Sequence, residues 1–423
     1  MKWSAINRLA LVFQEIARPD ATFCCMSERL ETRPKSLYIT NSISFNSLIS
    51  MNKAPVFEVF EKAFEKGLKG KVESFDIWLK SLEIDPLMFN LTEISNFLMQ
   101  NLELTIDLEK EVETIGQFIG FYSKERKGLY HIPIVGVFGC GKSHLMRLVQ
   151  RFLQERKVSL TCFFMDASSF REISEEDEEQ QIYYQLLDRV KMEKFDILLI
   201  DSCEKDKDIV HSLKQMADVL KNGIIITSWT PEHWNYVRDD IEDYLPTSKE
   251  IYLDQFDETS TSRFISTILQ HISNGRFQLS KEAVNRIYFF SKGVPRTIIQ
   301  LLIKAFNEAF LSSTKNVDEK AVESAAKNLG LENIFDRINK LSELQLIILK
   351  HILLEHDERG IRPSTLVEIL EKDKATISYH LSILSRSKFV TQEKIGRSSF
   401  YRVREEIKPF IELKFTERGE YLA

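Results

Sequence analysis

Gly136-Val137-Phe138-Gly139-Cys140-Gly141-Lys142-Ser143 has the spacing G-x-x-x-x-G-K-[ST]. Placed after a buried strand and before a helix, such a run binds phosphate. Its glycines let backbone N–H groups turn toward an anion, and the following helix presents its N-terminus to the same group. Lys142 is expected to reach the β- and γ-phosphates of a nucleotide, and Ser143 to hold Mg²⁺. The nucleotide-binding expectation covers Gly136, Val137, Phe138, Gly139, Cys140, Gly141, Lys142, Ser143 and His144. Cys140 reads as a small loop filler rather than a redox group.

Such a site needs an acid for the metal. The apolar run Phe195 to Ile200 ends at Asp201, whose carboxylate would accept from the Mg²⁺ water shell. Hydrolysis also needs a group that orients the attacking water. Ser202 follows Asp201 directly, and Glu204 is the candidate substitute from a turn. The next apolar run ends in Thr227 and Ser228, and of these Thr227 is the favoured polar group near a γ-phosphate. In Gly293-Val294-Pro295-Arg296 a glycine ends one helix and a proline starts the next, which fixes Arg296 at a helix start. An arginine so placed can close over a γ-phosphate. The catalytic expectation is Lys142, Asp201, Glu204 and Arg296, with Ser143 and Asp201 on the metal.

The elements that position these groups are legible as patterns. Apolar, β-branched runs occur at Ile132–Val137, Ser159–Met165, Phe195–Ile200, Gly223–Thr227 and Glu250–Leu253. Helical segments separate them at 144–154, 175–191 and 206–220. Continuous apolar strands alternating with helices predict an α/β fold, a parallel sheet covered on both faces. Four helices follow, at 258–272, 280–291, 296–311 and 317–328. Helical periodicity also marks Ala54–Lys66, Phe75–Leu82, Leu91–Leu104 and Asp107–Glu125.

A third pattern starts near Leu341. Three short helices, the last from Lys374 to Leu384, precede two strands, Phe389–Lys394 and Ser399–Val403. This order resembles a winged helix-turn-helix, similar to small repressors, with the third helix in a major groove and the wing on phosphate. Between 386 and 404 there are six basic residues against one acid, Glu393. Such a patch suits phosphate contacts and counterion release. The expected DNA-binding residues are Lys374, Thr376, Ser378, Tyr379, Arg386, Lys388, Lys394, Arg397 and Arg402.

GVFGCGKS, ILLID, the ITS strand end and GVPR, in this order, resemble an AAA+ ATPase. With the C-terminal module, the chain over about residues 105–405 is similar to the archaeal origin-recognition initiator ATPases. The resemblance implies a P-loop AAA+ parallel sheet with a helical lid, followed by a winged helix-turn-helix domain. It implies ATP and Mg²⁺ as cofactors, ATP/ADP and double-stranded DNA as partners, and it allows a homo-oligomer. Thr227 or Ser228 would be the first sensor and Arg296 the second. Ser202 stands where the family has its catalytic Glu, so ATP hydrolysis is expected to be slow. The function so implied is an ATP-dependent DNA-binding switch, replication-initiator-like. The alternatives are an ATP-sensing transcription regulator and a mobile-element or plasmid ATPase.

The expected domains are a tail over 1–50, which is disordered or untranslated, an N-terminal helical segment over 51–130, the nucleotide-binding core over 131–256 and the lid over 257–330. The winged-helix domain follows over 335–405, then a C-terminal tail over 406–423. In 423 residues of net charge −6, any nucleic-acid surface must be local. The 5 cysteines match no zinc or disulfide framework, so reduced thiols in a cytoplasmic protein are expected. No apolar run approaches the ~18 residues of a membrane span, and no membrane partner is expected.

Overall fold

The computed structural model describes residues 74–156, 159–167, 195–357 and 359–418. The tail expected over 1–50 and the helices expected at Ala54–Lys66 and 175–191 lie outside the described residues.

Two helices, α1 (Phe75–Ser81) and α2 (Leu91–Gln100), open the described chain, and α3 (Glu109–Glu125) leads into the sheet. The strands are β1 (Leu129–Val135), β2 (Cys162–Asp166), β3 (Ile197–Asp201), β4 (Gly223–Trp229) and β5 (Ile251–Tyr252). They pair in parallel in the order β2-β3-β4-β1-β5. Between them run α4 (Lys142–Glu155), α5 (Ile209–Leu220) and α6 (Pro231–Glu242). Every residue of β3 and β4 is buried, as a strand covered on both faces requires.

Alternation along β4 divides the two faces. Ile224 and Ile226 pack with Leu145, Met146 and Val149 of α4 and Ile115 and Ile119 of α3. Ile225 and Trp229 pack with Leu213 and Met216 of α5 and Trp234 and Ile241 of α6. Because successive side chains point to opposite sides, each residue's parity decides which face it serves.

Four helices follow the sheet: α7 (Glu258–Ile272), α8 (Lys281–Ser291), α9 (Pro295–Leu311) and α10 (Glu319–Leu329). Side-chain caps fix three of their starts, with Asp257, Ser280 and Asp318 each accepting from a first-turn amide. Pro295 starts the fourth, α9. α1 and α2 join this layer rather than the sheet: Trp78 of α1 meets the Phe306 ring of α9 edge-on, Phe89 just before α2 meets it tilted, and Ile94 of α2 lies in the same core. The segment expected as one unit over 51–130 thus divides its described helices, with α3 alone covering the sheet. The expected fold class, a P-loop parallel sheet with a helical lid, is the one observed.

The same helical core continues into α11 (Ile334–Asn339), α12 (Glu343–Leu353), α13 (Pro363–Leu370) and α14 (Lys374–Arg386). An antiparallel hairpin follows, β6 (Val390–Ile395) and β7 (Ser398–Val403), and Ile361 bridges to Tyr401 beside it. The segment expected as a tail over 406–423 contains a last helix, α15 (Lys408–Arg418). Ile407, Phe410 and Ile411 bury it in the core. No helix among the described residues is long and apolar enough to cross a membrane.

His131 of β1 is fully buried, its Nε2 2.9 Å from Thr227 Oγ1. Burial lowers its pKa to about 3 from the ordinary 6.5. The unfolded chain therefore takes up a proton below pH 6.5 that the folded chain refuses. The sign is a loss of stability as pH falls from 6.5 toward 3. Between pH 7 and 5 this one group removes about 2 kcal/mol. Urea unfolding of the wild type and His131→Gln at both pH values should show the smaller pH effect in the variant; parallel curves would contradict it.

Candidate functional site

β1 ends at Val135 and the chain turns through Gly136–Gly141 into α4. Gly139 has φ +81 and Gly141 φ +110, conformations that L side chains rarely adopt. A Cβ on Gly139 would lie 2.6 Å from the Cβ of Arg296. The first turn of α9 is therefore seated on the loop, and Arg296 N–H donates to Gly139 O at 3.2 Å. Gly141 is the N-cap of α4, carries no side-chain cap, and would place a Cβ in open space. The first amides of α4 thus face a cavity without a competing side chain.

That cavity has a volume of about 380 Å³. Its polar lining is the loop from Phe138 to His144, with Asp166, Asp201, Ser202, Glu204 and Arg296. Its walls are also apolar in part, with Leu98, Met99, Ile106, Phe256, Phe264 and Ile299 among them. Thr105 gives its hydroxyl hydrogen to Leu102 O and so accepts from His144 Nε2–H at 2.7 Å.

Lys142 is buried, and its Nζ donates to Gly136 O at 2.7 Å and Val137 O at 3.2 Å. Burial would lower its pKa; Cys140, Glu204, Glu412 and Asp201 outweigh that and raise it, so the ammonium stays charged. Gly136 and Val137 support this lysine from behind and do not line the cavity. Burial pushes the Cys140 thiol up, which suits an inert filler and not a nucleophile.

β2 and β3 end in register, bringing Asp166 beside Asp201. Asp201 Oδ1 accepts from Ser228 Oγ–H at 2.5 Å and from Ser202 N–H at 3.0 Å. Both bonds fall on one oxygen, and the second is available to a hydrated cation. Ser202 sits in the left-handed region at φ 58, where its N–H also donates to Ser228 Oγ at 2.8 Å. Glu204 follows in a short 3₁₀ turn on the cavity wall, with Oε2 buried and unpartnered among the described residues.

The structure reverses the order of Thr227 and Ser228. Thr227 lies on the far face of the sheet, where its Oγ1 meets His131 Nε2 and accepts from Trp229 Nε1–H at 2.7 Å. Ser228 points to the face of α4 and reaches Asp201. The signal was present as parity: Ser228 continues the series Ile224, Ile226. Asp166, Thr105, the apolar walls and Glu412 also escaped the sequence reading. Arg296 lines the cavity, but its guanidinium lies 4.9 Å above the Phe138 ring and donates to Glu405 at 3.1 Å.

The second group of candidates is far along the chain. α14 packs against β6 and buries Ile377, Leu381 and Leu384. Lys374, Ser378 and Tyr379 are exposed on it, Tyr379 by 63%. Arg386, Lys388, Lys394, Arg397 and Arg402 are also exposed, and the hairpin turns at Gly396 with φ +61. Two candidates have local duties. Thr376 Oγ1 donates to the N-cap Asp373 at 2.6 Å, and Arg402 pairs with Glu393 at 3.2 Å.

No family model matches the chain. An uncharacterized HTH-type transcriptional regulator of Methanocaldococcus jannaschii is 26% identical over 129 residues, 30% of this chain and 31% of that protein. The chain thus spans about a third of that relative's length. The Aeropyrum pernix ORC1 protein in complex with DNA is similar at 14% identity and TM-score 0.45, over 75% of this chain and 95% of that one. The ORC2 protein of the same organism, in ADPNP–ADP complexes, has 14% identity and TM-score 0.44 over 74% and 95%. The RuvB Holliday junction branch migration motor of Thermotoga maritima has 17% identity and TM-score 0.39 over 74% and 95%.

Replacing Thr227 by Val removes the buried hydroxyl that satisfies Trp229 Nε1–H and meets His131. The expected cost is about 1–3 kcal/mol of stability, from polar groups left buried without a partner. A urea midpoint equal to that of the wild type would contradict this.

Proposed function

We propose that this chain is an ATP-dependent DNA-binding switch. The observation that carries the reading is the cavity itself, whose lining combines uncapped amides of α4, a charged buried lysine and two strand-end carboxylates with a set of apolar side chains. A nucleotide combines the matching two parts, a polyanion and a flat, largely apolar base. The donor set suits MgATP. The amides from Phe138 to Ser143, the Lys142 ammonium and the Arg296 guanidinium would hold phosphates. Ser143 and Asp201 would hold Mg²⁺, which supplies charge neutralisation on the phosphates. Leu98, Ile106, Phe264 and Ile299 would sandwich the base.

Phosphate closure has a direct route to the lid, because Arg296 and Gly139 touch at the start of α9. Ser202 gives no carboxylate to activate water, and Glu204 is the acid on the wall that can do so. ATP would then act mainly as a switch that turns over slowly.

The order of α12, α13, α14, β6 and β7 supports a winged helix-turn-helix reading of the C-terminal part. α14 would read the major groove through Ser378 and Tyr379, with Lys374 on phosphate. The hairpin, with Lys394 and Arg397 exposed, would lie on the backbone. An initiator-like role at replication origins is the sharper form. A transcription regulator that senses ATP is a second reading, favoured by the name of the Methanocaldococcus relative.

Titration with MgATP, followed by calorimetry, should give saturable binding in the wild type and none in Lys142→Ala. Equal affinity in both would remove the phosphate-loop assignment. Binding of labelled duplex across a salt series should weaken in Arg397→Ala, with a slope in log[salt] smaller by about one. An unchanged slope would take the hairpin out of the interface.

A further inference from the structure

Residues 405–412 reach back from the C-terminal part to the phosphate loop. Glu412 of α15 is buried at 1% exposure, and its Oε2 accepts from Phe138 N–H at 2.6 Å. These residues are 274 positions apart. α15 packs against α6 and α11, which hold Glu412 in place. Lys408 Nζ stands 4.0 Å from the other carboxylate oxygen and 5.0 Å from the Phe138 ring centroid. Glu405, just before the helix, takes the Arg296 guanidinium at 3.1 Å. Two acids of one segment therefore sit on two groups that the nucleotide reading assigns to phosphates: the loop's backbone and Arg296.

The surroundings are acidic and enclosed. Burial raises the Glu412 carboxyl, while Lys408, Lys142 and the Phe138 amide pull it back. On α6, Glu232 has both carboxylate oxygens buried without a partner among the described residues. Burial and the charge of Glu412 raise it well above the usual range. Glu204 of the 3₁₀ turn also acts on Lys142, with Cys140, Glu412 and Asp201. The structure compensates Lys142 with its own carboxylates, as an anion in the cavity would.

We propose that Glu412 is a built-in competitor of the nucleotide's phosphates, so that filling the phosphate loop and seating α15 oppose each other. The proposal rests on the nucleotide reading above. A polyphosphate adds several negative charges beside a buried carboxylate, where like charges are poorly screened. Either the charge of Glu412 is lost or α15 loosens, and with it the hairpin-bearing part of the chain. Glu405 adds a second, more exposed contact of the same kind. Coupling of this sort is reciprocal: what Glu412 costs the nucleotide, the nucleotide costs the helix.

Glu412→Gln keeps an acceptor for Phe138 N–H and removes the charge. In the full chain it should tighten MgATP binding roughly tenfold, within the usual range of coupling between sites. Adenosine, which has no phosphates, should bind both proteins alike. In the wild type, MgATP should speed hydrogen exchange of amides in 408–416, a readout that does not depend on the variant folding. Equal MgATP affinity in the two proteins, with exchange in 408–416 unchanged, overturns the competition and leaves the nucleotide reading standing. Failure of both proteins to bind any nucleotide overturns both.

Discussion

The Cβ that Gly139 lacks is the space in which α9 begins. Because the Arg296 Cβ fills it, the phosphate loop and the helical layer share one surface and cannot move independently. The hydrogen bond from Arg296 N–H to Gly139 O closes the same contact through the backbone. Gly293 reinforces it from the other side: its φ is +75 and its Cβ position is taken by the Phe256 backbone. A larger residue at 139 or 293 would need backbone to shift, since neither obstacle is the tip of a flexible side chain. The loop's geometry is thus a property of two layers, and any anion that reshapes it acts on α9.

Charge placement follows from the same crowding. Lys142 is buried, and burial by itself disfavours an ammonium. The strand ends and the C-terminal helix supply the carboxylates that keep it charged. Asp201 is held by Ser228 and Ser202, so its orientation is set before any ligand arrives. Glu232 has no such support, and burial together with Glu412 drives it toward the neutral acid. A site built this way has spare negative charge on one side of its lysine and open amides on the other.

Local signals carried much of the architecture. The apolar runs marked all five strands, most clearly β3 and β4, because a strand buried on both faces cannot hide its composition. The four lid helices were legible as periodic segments after the last strand, and the structure adds the caps Asp257, Ser280 and Asp318 that open three of them. The phosphate loop was legible because its chemistry is contiguous. Ser228 is readable in principle, because the alternation along β4 puts it on the face of Ile224 and Ile226 and Thr227 on the other. Glu412 was not readable at all. Its partner at Phe138 is 274 residues away, and nothing local distinguishes it from a surface acid on an amphipathic helix. The apolar lining of the cavity was hidden for a similar reason: Leu98, Ile106, Phe264 and Ile299 belong to four separate segments.

The route from the cavity to the hairpin can be traced through contacts. Glu412 touches the phosphate loop, and Glu405 touches Arg296. Between Glu405 and the hairpin lies Arg404, whose backbone N–H donates to Phe389 O where α14 gives way to β6. His356, just after α12, approaches Glu204 O through Nδ1 at 2.8 Å. Three contacts therefore join the cavity wall to the C-terminal part. The hydrophobic core beneath them runs from α7 through α15. Polar contacts, which charge can break at modest cost, are where the proposed switch would act.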